Sequence, residues 1–268
     1  MEVSNAGVYA GASAAAEAVL MSRRIQPPGK RRVLVSRALH PQYREVITTY
    51  LKNLEDVQLE EIAFDAGGGT DTGELTRQLD DRSMCVLVGY PHFLGVIEDL
   101  ALLKSACARV GAQLISVTTE PLALGILKSP GEFGVDVAVG EGQSLGVPMN
   151  LGGPAFGFFT CQKKFVRNIP GRLVGETLDS DGLRGFVLTL ATREQHIRRE
   201  KATSNICTSQ TLCTLAATVY MSLLGKSGIR RLGEVNVSRA HDLSARLVAR
   251  AGVERVFSAP YFNEVVLR

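Results

Sequence analysis

The segment GEGQSLGVPMNLGGPAFGFF, residues 140–159, carries six glycines, two prolines and no lysine. It follows VDVAVG (135–140), a β-branched run that reads as a buried strand. In open α/β sheets the loop beyond such a strand gathers ligands. Here the loop is elaborate and holds no amine. Four other stretches offer chemistry. Ser4 and Asn5 of VSNAG precede an alanine-rich helix (GASAAAEAVLMSRR, 11–24), where they can cap it and leave free N–H groups for an anion. FDAGGGTDTGELT (64–76) is glycine-rich but lacks both the GKS or GKT ending of a P-loop and the GxGxxG spacing of a dinucleotide fold. It reads as a turn entering a helix capped by Asp71 or Thr72 with Glu74 behind. His92 in GYPHF (89–93) follows a strand end and reads first as a structural histidine, with stacking on a planar ligand as the alternative. Arg193, Arg198, Arg199 and Lys201 form a basic stretch, read as a solvated face or as a contact for an acidic partner.

The elements that must position these residues alternate. RVLVS (32–36), VQLEEIAF (57–64), MCVLVGY (84–90), AQLISVT (112–118) and VDVAVG are short β-branched runs. Between them, Tyr43, Val46, Ile47, Tyr50, Leu51 and Leu54, and then Val96, Leu100, Leu103, Cys107 and Val110, recur at helical spacing. Alternation of strand and helix predicts a mostly parallel sheet with helices on both faces. AFGFFTC (155–161), GRLVGETLD (171–179) and GFVLTLA (185–191) follow one another without helices and predict an antiparallel edge on that sheet. Two long helices come next, one with Leu212, Leu215, Val219 and Leu223, the other over about 237–251, and YFNEVVLR (261–268) reads as a further strand.

Composition narrows the function classes. The chain has 268 residues, 45% hydrophobic and 21% charged, the balance of a globular protein. A net charge of +3 is too mild to suggest nucleic acid. No uninterrupted apolar run reaches about 18 residues and no secretory signal opens the chain, which predicts a cytoplasmic protein without a membrane span. Five cysteines with no CxxC pair point to reduced core thiols rather than disulfides or zinc.

Read together with RNIPGRLVGETLD, GFVLTLATREQHIRREKATSN and NAGVYAGASAAAEAVLM, the 140–159 loop resembles the glycine dehydrogenase (decarboxylating) family, the P-proteins of the glycine cleavage system, in its alpha-subunit branch. The likeness runs from residue 4 to 268. It implies a fold type I aminotransferase-like large domain, a mixed sheet of about seven strands over 1–260, with 261–268 opening a small domain. It also implies that the family's N-terminal segment and most of its small domain lie outside this chain. Pyridoxal phosphate is implied on a partner beta subunit, and lipoylated H-protein as a second partner. Against the beta subunit's lysine loop, the lysine position falls on Gln143 or Ser144. At the strand end that normally supplies an acid to the coenzyme ring stand Thr118 or Thr119, with Glu120 close but out of register. The resemblance implies that Met149, Asn150, Gly152, Gly153, Pro154, Ser204, Asn205 and Thr208 border the partner's site, with Phe156, Phe158 and Arg172 as interface anchors and unusual φ values at Gly152 and Gly153. Three alternatives stay open: an independent pyridoxal-phosphate enzyme using Lys128 or Lys164, a stand-alone anion-binding module at residues 4–7, and a degenerate fragment that does not assemble.

Overall fold

The computed structural model describes residues 1–149, 151–206 and 210–268; Asn150 and Thr208, both expected at the partner site, lie outside the described residues. Nine strands are described: β1 (Val3–Ser4), β2 (Arg32–Ser36), β3 (Gln58–Ile62), β4 (Ser83–Gly89), β5 (Gln113–Thr118), β6 (Val137–Glu141), β7 (Gly157–Cys161), β8 (Leu173–Leu178) and β9 (Arg184–Thr189). The helices are α1 (Gly11–Ile25), α2 (Pro41–Leu51), α3 (Thr72–Gln78), α4 (Leu100–Arg109), the single turn α5 (Gln195–Arg198) and α6 (Thr211–Val248).

Seven strands form one sheet in the order β1-β7-β6-β5-β4-β2-β3. β3, β2, β4, β5 and β6 run parallel, whereas β7 is antiparallel to both β6 and β1. Side chains of a strand alternate between faces, and the two cores follow that parity. Val33, Val35, Cys85, Leu87, Ile115 and Val117 pack with α1 and α2, while Leu34, Val86, Val88 and Leu114 pack with α3 and α4. Burial on both faces explains why these strands read as unbroken apolar runs. α1 sits deepest: Ala14, Ala15, Ala16, Ala18, Val19 and Met21 have no exposure. Its alanines keep the helix thin enough to lie close against the sheet, and its contacts fall on β4 to β7.

Three expectations are corrected. β8 and β9 do not extend the main sheet; they form a separate two-stranded hairpin, because β1 already covers the free edge of β7. Residues 261–268 form no strand. Tyr261 and Phe262 are instead buried against the 95–97 loop, through a Val96–Tyr261 bridge and a Phe262 N–H bond to Gly95 O. The second late helix starts directly after Gly225 and not near 237: two helices, labelled together α6, meet at that residue, whose φ of 60° and ψ of −175° lie outside helical space. α6 is the one described helix long and apolar enough to cross a membrane by length and composition. The break divides it. The stretch before Gly225 rises only about 21 Å against a hydrocarbon core of roughly 30 Å, and the stretch after it carries Lys226, Arg230, Arg231, Glu234, Arg239, Asp242 and Arg246.

Close backbone approach fixes the ligand-side ends of the strands. A Cβ on Gly140 would overlap the Thr118 carbonyl oxygen and come within 2.6 Å of the Phe158 ring. Gly152 does take the left-handed φ of +90°, but neither it nor Gly153 has a neighbour within 4 Å of a built Cβ. Their surroundings are open, so close approach is a property of Gly140 and not of this pair. The glycine-rich turn at 65–70 is tied down by a buried carboxylate. Glu98 accepts the Thr70 N–H at 3.0 Å, and the Thr70 hydroxyl lies 2.5 Å from Glu98 and 2.8 Å from Ser36 at the end of β2. Of the two caps the spacing allows, Asp71 and Thr72, it is Asp71 that caps α3, accepting the Glu74 N–H at 2.8 Å. Burial pushes the Glu98 carboxyl up to about 7, with Asp65 and Asp99 adding to the shift and the Thr70 bonds opposing it.

Two outcomes follow. Gly140→Ala destabilises the chain by about 3 kcal/mol or more through overpacking, whereas Gly153→Ala stays within about 1 kcal/mol; equal denaturation midpoints for the two variants would contradict the close approach. Because Glu98 holds its proton more tightly folded than unfolded, its contribution to stability falls as pH rises from about 4.5 to about 7. Glu98→Gln therefore removes a penalty of about 3 kcal/mol at pH 8 and flattens the pH dependence between 5 and 8; an unchanged slope in urea titrations would refute this.

Candidate functional site

The carboxyl ends of β5 and β6 and the start of α1 meet at one place, the position where a parallel sheet collects ligands. α1 begins at Gly11 with Ala10 as an N-cap that offers no side-chain acceptor, so its first N–H groups need a partner. The partner is Glu141, the last residue of β6. Its Oε2 accepts the Gly11 N–H at 3.0 Å, and its Oε1 accepts those of Gly142 and Phe156, both at 3.1 Å. A Cβ on Gly11 would overlap the Tyr43 hydroxyl and lie 2.8 Å from the Glu141 nitrogen, so glycine is what lets the helix start reach the strand end. Burial raises the Glu141 carboxyl above its ordinary value, and the N–H bonds only partly offset it. Burial and then the charge of Glu141 push the Tyr43 phenol up as well.

The expected lysine position is polar and already engaged. The Ser144 hydroxyl donates to Glu120 Oε1 at 2.8 Å, the same oxygen that accepts the Leu122 N–H at 2.9 Å, and Gln143 Nε2 reaches the Pro154 carbonyl at 3.4 Å. Glu120, out of register for a ring-nitrogen acid, thus joins the end of β5 to the loop after β6. Both alternative lysines have contacts of their own. The Lys128 ammonium lies over the Phe133 ring at 4.7 Å. That of Lys164 lies 3.7 Å from Asp136, which precedes β6 at the opposite end of the strand. Pyridoxal phosphate therefore does not fit this chain: no amine stands at 143 or 144, and a carboxylate occupies the helix start where an anionic group would bind. Among the described residues no cluster of three or more His, Cys, Asp or Glu side chains is arranged to hold a metal.

The remaining candidates fall elsewhere. Ser4 and Asn5 do not cap α1. Ser4 lies in β1 with its hydroxyl on the Asn5 carbonyl, while Asn5 accepts the Gly7 N–H at 3.1 Å and donates to Pro170 O at 3.3 Å. Both border a groove of about 680 Å3 lined largely by Leu124, Phe156, Phe158, Leu215 and Met221. His92 is buried: Nδ1 accepts the Leu94 N–H at 3.1 Å, which makes Nε2 the donor to Gly68 O at 2.8 Å. Burial lowers its basicity, and the structural reading of this histidine holds. Arg193 is buried rather than part of a solvated face, donating to the carbonyls of Ile169 and Gly171. Met149 is 85% exposed and Gly152 and Pro154 are exposed, with Gly153 half-buried. The Ser204 hydroxyl bonds Glu17 at 2.8 Å, and Ser204 and Asn205 line a separate crevice of about 460 Å3 with Tyr9 and Tyr50. The structure does not bring these two groups to one cavity. Phe156 is buried and Phe158 half-buried, which removes Phe156 as an interface anchor; Arg172 is exposed. Sequence reading passed over Glu141 because its partners lie 130 residues upstream and 15 downstream. The available signal was an acid as the last residue of the strand that leads into the ligand loop.

Comparisons with known proteins identify the family and the fold. The family model described as "Glycine cleavage system P-protein" matches residues 1–268. A protein from Anaeromyxobacter dehalogenans named "Probable glycine dehydrogenase (decarboxylating) subunit 1" is 52% identical over 99% of this chain and 59% of its own length. One of the same name from Sphingopyxis alaskensis is 50% identical over 99% of this chain and 58% of its own. A crystal structure of glycine decarboxylase (P-protein) of the glycine cleavage system in inhibitor-bound form superposes with a TM-score of 0.91 at 44% identity, covering 98% of this chain and 58% of that one. A cysteine desulfurase from Escherichia coli, at 15% identity, shares the fold with a TM-score of 0.68 over 99% of this chain and 62% of its own. The chain spans about three-fifths of the length of the curated relatives it matches. With a parallel sheet ordered as described, a family match over its whole length and half its residues shared with subunit 1 proteins, the chain belongs to the glycine cleavage system P-protein family.

Proposed function

We propose that this chain is the non-catalytic alpha subunit of a heteromeric glycine dehydrogenase (decarboxylating), in which a beta subunit holds the pyridoxal phosphate. On this reading the assembly is a cytoplasmic heterotetramer. It decarboxylates glycine and passes the aminomethyl group to the lipoyl arm of H-protein, with no part for nucleic acid or membrane. Residues 1–260 serve as its large domain and 261–268 open the small one. The observation that carries the reading is Gln143 and Ser144 in place of an amine, in a chain whose relatives are named as subunit 1 of that enzyme.

The chain's own contribution is then shape. When bound in the partner, the coenzyme supplies the electron sink for loss of carbon dioxide; this chain's surfaces seat the partner and keep water from the reacting groups. The β8–β9 hairpin supports such a role. Val174 pairs with Leu188, and Glu176 with Phe186, in register. Val174, Leu178, Phe186 and Leu188 therefore share one face, exposed at 55%, 67%, 64% and 57%. A two-stranded hairpin is marginal alone, and an apolar strip on it marks a surface that expects cover. Leu212, Leu215, Val219 and Leu223 make a second exposed strip on the first half of α6.

Co-expression with a subunit 2 protein tests the proposal. The two chains co-elute on sizing, and the pair exchanges labelled bicarbonate with the glycine carboxyl while this chain alone does not. Phe186→Asp combined with Leu188→Asp weakens association at least thirtyfold, the scale of about 2 kcal/mol for an interface anchor. Exchange by this chain alone, or no exchange by the pair, would defeat the reading; full association of the doubly substituted chain would remove the hairpin from the interface.

A further inference from the structure

A helix start beside the carboxyl ends of parallel strands is a place that favours an anionic group, and the residues present at the start of α1 fill it in a specific way. We propose that the Glu141 carboxylate is a built-in occupant of this anion cradle, so that the chain permanently fills a site which, once emptied, takes phosphate or a phosphate monoester. This rests on the geometry of the chain and is independent of the subunit reading.

Three observations carry it. First, the donors come from three separate places, the start of α1 (Gly11), the residue after β6 (Gly142) and the residue before β7 (Phe156), and they converge on the two oxygens of one group at 3.0–3.1 Å. Convergent main-chain N–H groups at a helix start form the kind of pocket that holds phosphates in other proteins. Second, α1 is a full helix of 15 residues without an acid in its first turn or an N-cap acceptor, so Glu141 supplies the negative charge its dipole favours from outside the helix. Third, the positions that bring the carboxylate here are glycines under tight constraint: a Cβ on Gly11 meets the Glu141 nitrogen at 2.8 Å, and one on Gly142 would overlap the Phe156 ring. The backbone is shaped to seat a strand-end carboxylate against a helix start. Shortening that side chain to alanine leaves the donors in place and unpartnered, whereas a glutamine keeps one acceptor oxygen among them. The groups facing Glu141 are the Tyr43 phenol, from α2, these N–H donors and the main-chain N–H of Gln143.

The test uses Glu141→Ala and Glu141→Gln beside the unsubstituted chain, followed by nuclear magnetic resonance of the Gly11, Gly142 and Phe156 amides. The probes are inorganic phosphate, pyridoxal phosphate and unphosphorylated pyridoxal. In the unsubstituted chain these amides hold still through tens of millimolar phosphate, and all three move together as pH protonates one carboxylate. In Glu141→Ala they shift and saturate with phosphate and with pyridoxal phosphate at least tenfold more tightly than in the unsubstituted chain, and do not respond to pyridoxal. Glu141→Gln, which keeps the filling side chain, binds phosphate more weakly than the alanine variant. Phosphate binding by the unsubstituted chain as tight as by Glu141→Ala would overturn the proposal, as would a folded Glu141→Ala that gains no affinity. Should the alanine variant fail to fold, the shared titration of the three amides in the unsubstituted chain decides: its absence sinks the proposal and its presence supports it.

Discussion

The contact on which this structure turns is the meeting of α1 with the end of β6. Glycine at position 11 allows the helix to start against the strand, glycine at 140 lets that strand end lie against Thr118 and Phe158, and Glu141 answers the unsatisfied N–H groups. Without a side-chain cap of its own, α1 depends on a residue 130 positions away to finish its first turn. Because the helix is buried along most of its length, this end contact also sets how its alanines meet the sheet. A local hydrogen-bonding need is met by a distant acid, and the ligand end of the sheet is closed by the same act.

The polar groups at the ligand end of this sheet hold backbone segments together. Glu120 reaches Ser144, Gln143 reaches Pro154, and Glu98 and His92 hold the 65–70 turn from below. Each polar group near the strand ends is spent on holding backbone in place. Burial raises the carboxyls of Glu17, Glu98, Glu141 and Glu264, with hydrogen bonds only partly opposing this in the first three.

The sequence made some of this legible. β2, β4, β5 and β6 stood out because burial on both faces writes an unbroken apolar run, and α1 because alanine pattern and propensity agree. Spacing left Asp71 or Thr72 as the cap of α3, and the structure gives it to Asp71. Features set by distant neighbours were hidden. Nothing local distinguishes β8 and β9 from edge strands of the main sheet, since that depends on β1 having taken the place beside β7. Phe156 looked like an interface anchor until Gly142 was seen to receive its ring. Arg193 sat in a charged stretch yet turned inward to the 169–171 carbonyls. Glu141 needed both ends of a 130-residue separation in view. The family resemblance directed attention to positions 143 and 144, and only the fold shows Glu141 on the N–H groups at the start of α1.

The central claim is that no lysine of this chain tethers an aldehyde coenzyme. Incubating the purified chain with pyridoxal phosphate, reducing with borohydride and weighing the intact protein addresses it directly. The expected mass is that of the unmodified chain, with at most scattered substoichiometric labelling of exposed lysines. A stoichiometric adduct mapped to one lysine would contradict it.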